Sequence, residues 1–482
     1  MMRVFFAALA ALVLMAAPAR ATTITVDSAN SAAVADGNCT LREAITAANT
    51  NTSFGAADTC SGGQASPFLD KIVFNIGAGN PTINLAAPLQ DITEPVEIHG
   101  ELTGGGRVVL NGTSAGTGAD GLRIDTLDAT GNRVQVSGLV INRFPGDGIE
   151  VVSGKLTLFS SLIGTDPTGA TAQANGGNGV NLSGGLVATI GGPNGTTPGG
   201  ACTGECNVIS GNSLNGVLVH AAGASFIRGN HIGVSASGTV DRGNVQDGIH
   251  VTADGADIGG LAPSLGNVIS GNNGDGIEVN GASVDNAKVR GNLIGTDTTG
   301  GLDVGNTQSG VRITDAPANV VGSGATGAGN VISGNNGNGV LIENATAINN
   351  LVAGNLIGTD ATGTADLGNG NAGVFTQNSS GNVIGGDTAG ERNLISGNVG
   401  GVDLNGAGSD SNVVSGNYIG TDITGTLKVA NVGNGIDVAG TNNQIGGPAG
   451  VTVGGPCTGQ CNLVSGNGTG VHVGDPIAPS VT

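Results

Sequence analysis

Three sets of residues in this 482-residue chain combine type and spacing in a way that could do chemistry. Asp403, Asp437 and His472 fall at one position of successive repeats. Strands that pair lie about 4.8 Å apart, so two carboxylates and an imidazole held in such a row would raise one carboxyl pKa, support acid–base work, bind a ligand or hold a cation. Arg228, Asp257, Lys288 and Arg290 form the second set. A basic cluster on an acidic chain is a seat for a carboxylate or sulfate group, and these four are the candidates for catalysis. The third set is Asp166, Asp297, Asp360 and Asp422, each in a Gly-Thr-Asp segment. Acids repeated every second coil would stand about 10 Å apart, wider than the roughly 5 Å or 6.5–9.5 Å between paired glycosidase carboxyls. They read as loop caps, with Ca²⁺ the one metal they could take; no other cofactor or metal site is expected.

The elements that must position these residues repeat. Segments ending in Ser-Gly-Asn begin at Asn207, Asn267, Asn330, Asn393 and Asn462, and the Gly-Thr-Asp segments alternate with them. At Gly233 the same slot reads GVSASG and lacks the Asp. Each unit of about 63 residues divides into two coils of about 31. A column of Val134, Leu158, Ile190, Ile227, Ile258, Val289, Val321, Val352, Ile384, Val414 and Ile445 is aliphatic at every step, while the residue before each varies. Alternate residues of a strand face opposite ways, so this column points inward. The fold class is all-β: a parallel β-helix with three short strands per coil and Gly and Asn at the corners. The outward column of the third strand reads Glu150, Asn181, Leu218, His250, Glu278, Arg312, Leu341, Phe375, Asp403, Asp437 and His472.

Residues 1–21 read as a signal peptide: Arg3, a 13-residue apolar run and a small-residue ARA site. Residues 22–131 comprise an N-terminal cap and irregular early coils, 132–473 the regular coils, and 474–482 a tail. Within the cap, CTLREAITAAN (Cys39–Asn49) predicts an amphipathic helix with a Thr40/Glu43 capping box. Six cysteines in an exported chain favour disulfides. Matching contexts pair Cys202 with Cys206 and Cys457 with Cys461, which leaves Cys39 with Cys60; a zinc site is the alternative.

CTLREAITAAN resembles the motif of CSLREA-type domains, with Thr40 where Ser is usual, and the coils resemble right-handed parallel β-helix proteins of the pectin-lyase-like superfamily. The resemblance implies a secreted or surface bacterial protein. It also implies an acidic-polysaccharide lyase, hydrolase or epimerase as one reading of function. The superfamily's Asn-Thr-Asp, Asp-Asp, Gly-His-Gly and Arg-Ile-Lys hydrolase signatures are absent.

A net charge of −20, more negative still without Arg3 and Arg20, excludes nucleic acid as a partner. No stretch after the signal is long and apolar enough to span a membrane. With few aromatics and a repetitive exterior, the first reading is a non-catalytic surface, adhesive or carbohydrate-interacting protein, and the polysaccharide enzyme is the alternative. A last coil ending in Val471 and Val473 without a capping helix leads to an expectation of weak end-to-end self-association.

Overall fold

The computed structural model describes residues 22–474 apart from 56–58, 65–67, 128–132, 186, 196–198, 221–222 and 452–454. The signal segment and all but the first residue of the tail lie outside the described residues. The chain winds as a right-handed parallel β-helix whose three sheets hold 14, 13 and 12 strands. The first strand, Thr23–Val26, pairs directly with Asp70–Phe74, and the cap occupies the chain between them.

That cap is the helix Leu41–Thr50, which starts two residues later than the motif. Thr40 and Glu43 close the capping box, and Leu41, Ala44, Ile45 and Ala48 are buried. The disulfide Cys39–Cys60 ties its entry to the following loop, and Cys202–Cys206 and Cys457–Cys461 close two further loops. Among the described residues no helix is long and apolar enough to cross a membrane.

The core is built of continuous inward aliphatic columns, two of them on the third sheet. In the first sheet Leu158, Ile190, Ile227, Ile258, Val289, Val321, Val352 and Ile384 stack in register, each essentially without exposure. The column differs from expectation at its start. Leu158 pairs with Val136, and Val134 pairs with Leu156. The strand Val134–Ser137 enters two residues earlier than the regular coils because the early coils vary in length.

Asn residues line all three corners, and each side chain closes a gap that the turn leaves in the ladder. Between the first and second sheets, Asn267 donates to Asn292 Oδ1 at 2.9 Å, and Asn292 donates to Asn330 Oδ1 at 3.0 Å and to the Ile258 carbonyl at 3.0 Å. Equivalent ladders run through Asn244, Asn272 and Asn306 and through Asn350, Asn382 and Asn412. A buried group that loses its partner costs about 1–3 kcal/mol, and Asn292→Ala strands a partner on each side. Asn292→Ala is therefore expected to lower unfolding free energy by about 2–4 kcal/mol, read from urea denaturation against Asn280→Ala outside the ladders.

The outward side of the second sheet is itself covered. The Gly-Thr-Asp loops fold over it and bond to one another two coils apart: Thr298 N to Gly238 O at 3.2 Å, Ala361 N to Gly300 O at 2.8 Å, and Ile423 N to Gly363 O at 2.9 Å. Inside each loop the Asp accepts from the loop's own donors. Asp297 Oδ1 takes Gly301 N, Leu302 N and the Thr299 hydroxyl. In the equivalent loops, burial of Asp166 and Asp360 is outweighed by the same kind of bonds, which hold both carboxyls below the usual range. Along the third sheet the outward column is mostly half-buried, and separate cavities open beside it.

Candidate acid–base site on the third sheet

Five charged side chains from three successive coils converge on one of these cavities. His250, Glu278 and Arg312 are register partners in the outward column, so their side chains leave the sheet one strand spacing apart. Asp247 and Asp275 stand at the corner just before the strands, where the earlier coils carry Asn178 and Asn215. The corner carbonyl-type oxygen keeps its structural bond: Asp275 N donates to Asp247 Oδ1 at 2.8 Å, and Ser309 N to Asp275 Oδ1 at 2.6 Å. Replacing Asn by Asp thus leaves the turn intact and frees a second oxygen. Together these residues line a cavity of about 280 Å³, with Gln246, Asn273 and Gln308 at its edge.

The charges there are unequal in kind. His250 Nδ1 lies 2.9 Å from both Asp247 Oδ2 and Glu278 Oε2. Burial pulls the imidazole down, but the bonds to Asp247 and Glu278 outweigh it and hold His250 up at about 9. Burial, and then the neighbouring Asp247 carboxylate, pushes Asp275 up to about 7. For Glu278 the bond to His250 overcomes the effect of burial and holds the carboxyl below its usual value. Arg312 Nη1 sits 3.7 Å from Asp275 Oδ2 and 3.7 Å from Glu278 Oε1, and its Nε donates to Glu343. One guanidinium nitrogen thus stands between an Asp275 oxygen and a Glu278 oxygen. Two acids whose environments drive their pKa values apart can act as proton donor and proton acceptor at one pH.

His250 also sets a pH dependence of stability. Its folded pKa stands above the unfolded value near 6.5, so its contribution is complete below about 6.5 and is lost as pH rises through about 9. Denaturation midpoints are expected to fall across that window, and His250→Gln should flatten the slope.

The residues singled out from the sequence are distributed as follows. Asp257 lies between two coils that supply Arg228 and Arg290, and both its oxygens are taken, by Arg228 at 2.9 Å and Arg290 at 2.7 Å. Arg228 also covers the Phe226 ring at 4.6 Å. Lys288 is the register partner of Asp257 and is exposed. The four residues are together, on the outer face of the first sheet. Asp403, Asp437 and His472 are register neighbours on the third sheet, with His472 Nδ1 2.8 Å from Asp437 Oδ1. Burial, then Asp437, pushes Asp403 up to about 6. Asp403 and Asp437 line a separate cavity of about 340 Å³ together with Phe375.

The centre built on Asp247 and Asp275 was not assembled from the sequence. His250, Glu278 and Arg312 stand in the outward column, but the corner acids fall outside it. The signal was the recurrence of Asp-Gly-Ile-His at 247–250 and Asp-Gly-Ile-Glu at 275–278, where acid and outward residue are three apart. Among the described residues, two groups could offer ligand atoms to a metal: Asp247 with His250 and Glu278, and Cys202 with Cys206 and His231, though those cysteines are joined to each other.

No family model and no curated relative matches the chain. Solved structures similar to it include a mutant of the periplasmic alginate epimerase AlgG, at 12% identity and a TM-score of 0.34 over 78% of this chain and 76% of that one. A PL6 family polysaccharide lyase from Pseudopedobacter saltans shows 13% identity and a TM-score of 0.35 over 85% and 89%. The A-module of a mannuronan C-5 epimerase from Azotobacter vinelandii shows 12% identity and a TM-score of 0.26 over 94% and 86%.

Proposed function

We propose that the protein is an exported enzyme that acts on a glycan lying along the outer face of the third sheet, with its acid–base centre at Asp247, His250, Asp275, Glu278 and Arg312. The observation that carries this reading is their convergence, from three adjacent coils, on one cavity at the outer face of the third sheet. In hydrolysis or elimination Asp275 gives its proton to the glycosidic oxygen as that bond breaks; in epimerisation the glycosidic bond stays intact, and Asp275 returns a proton to the opposite face of the carbon that Glu278 deprotonates. Glu278 takes a proton, from an attacking water in hydrolysis or from the carbon next to a uronate carboxylate in elimination or epimerisation. His250 and Arg312 hold Glu278 ionised and present positive charge to a sugar carboxylate. Three disulfides and the CSLREA-like segment Cys39–Asn49 support export.

The test is a panel of neutral and acidic polysaccharides incubated with the purified chain, with and without Ca²⁺. Reducing ends report hydrolysis, ultraviolet absorbance reports unsaturated products, and proton NMR reports epimerised residues. One observation favours the non-catalytic surface or adhesive reading: the cations are already paired, His250 with Asp247 and Glu278, and Arg312 with Glu343 beside the cluster. Glycan binding without any change in the glycan, across the whole panel, would establish that second reading.

A further inference from the structure

Asp403 stands apart from the other acids in the outward column of the third sheet. Glu150 is bonded to Arg123 at 3.0 Å, Glu278 to His250 at 2.9 Å and Asp437 to His472 at 2.8 Å. Asp403 is half-buried and has neither a hydrogen bond nor an ion pair among the described residues. Burial and the neighbouring Asp437 both oppose its ionisation, and a cation placed at the carboxylate offsets that cost.

The repeat also leaves a gap beside this carboxylate. In each regular coil a corner residue stands three positions before the outward one. In earlier coils its side-chain oxygen accepts from the corner N–H of the next coil. Asp247 N donates to Asn215 Oδ1 at 3.0 Å, and Ala372 N donates to Asn338 Oδ1 at 3.1 Å. The series stops at Ala372 and Gly400, register partners that bring no polar side chain to the corner. Asn434 resumes it and donates to Asp437 Oδ2 at 2.9 Å. The backbone does not require glycine at 400. Its φ lies outside the left-handed region, and a Cβ there would meet only Ala372, at 3.7 Å. Ala372 and Gly400 both line the cavity of about 340 Å³ that holds Asp403, so the missing side chains leave it open.

The walls define what fits. Phe375 is the register partner of Asp403 and lines the cavity with a half-buried ring, and the exposed side chain of Val399 adds apolar surface. Asn338, Asn371 and Asn434 contribute amides, and no Lys, Arg or His is among the lining residues described. A carboxylate only accepts, and a primary ammonium offers three donors and a positive charge. An aromatic face attracts both a cation and the C–H face of a saturated ring. Amides suit hydroxyl groups, which donate and accept. A bare metal ion would use the carboxylate and leave the aromatic wall idle.

We propose that this cavity binds a single sugar ring carrying a primary ammonium, the amino-sugar class, with the ammonium on Asp403 and the ring against Phe375. Asp403 stands three strands beyond Arg312 in the outward column, about 14 Å away, so the site is distinct from the acid–base centre. Its test reads binding, and either assignment can fail without the other. The native chain is titrated with glucosamine and with glucose, which differ in one substituent, and binding is followed by proton NMR of the sugar. Saturable binding of glucosamine about tenfold tighter than glucose is expected. Asp403→Asn keeps the shape and removes the charge, so it should bind the two sugars equally. Gly400→Asn restores the residue type of Asn338 and Asn434 and fills the cavity, so it should bind neither. Excess Ca²⁺ should leave the preference unchanged. Equal affinities in the native chain, absence of saturable glucosamine binding, or displacement of glucosamine by Ca²⁺ would each overturn the proposal. So would a preference that survives both substitutions, since that is general attraction of a cation to a chain of net charge −20.

Discussion

Replacing Asp275 by Asn is expected to lower turnover of a susceptible glycan at least ~100-fold while leaving the fold intact. The corner position tolerates the change because Asn215 and Asn178 occupy it in earlier coils, and an Asn oxygen can still accept from Ser309 N. Only the titrating proton is removed. In the native protein the rate should depend on a group near pH 7, and that limb should vanish in the variant. Stability should move the other way. The folded pKa of Asp275 exceeds the unfolded value near 3.9, so the native state binds more protons between about 4 and 7, and stability falls as pH rises through that interval. Asp275→Asn should therefore be at least as stable as the native protein at pH 8. Glu278→Gln is the companion variant; it removes the base and one partner of His250, so its activity should also fall about 100-fold and its His250 pKa should drop. Unchanged turnover in Asp275→Asn on a glycan the native protein converts would remove the assignment of Asp275 as the acid.

Ile384→Ala is expected to cost about 2–5 kcal/mol of unfolding free energy. The side chain is without exposure and stacks between Val352 and Val414. Neighbouring coils cannot collapse into the space, because each is held in place by its own strand pairs and corner Asn bonds. Stability in a solenoid passes from coil to coil, so the loss should appear as earlier unfolding centred on this region, visible as faster amide exchange in coils on both sides. The neighbour Val383 gives the control, since it faces the other way and is only partly buried. Val383→Lys should fold, and Ile384→Lys should not. Folded, soluble Ile384→Lys would contradict the register of the first sheet.

The sequence by itself determined the coil and its register. A period of about 31 residues, an aliphatic at one position of each strand and Asn at the corners are local rules, repeated often enough to place Glu278 beside Arg312 and Asp403 beside Asp437 without coordinates. It did so less well where the repeat is irregular, as at Val134 and Val136, because a single early strand has few copies to align with. Tertiary structure decided what those rules do not encode. Corner residues such as Asp247 and Asp275 belong to no strand column, and only the folded turn brings the second oxygen of Asp247 to His250 and that of Asp275 toward Arg312. The loops that cover the second sheet turn an outward position into a buried one, which is why His231 is neutral and His250, also outward on its strand, is charged. The pKa of each group follows from how much water the surrounding coils exclude and which charges they bring within reach. Both are properties of several coils at once, and no single repeat contains them.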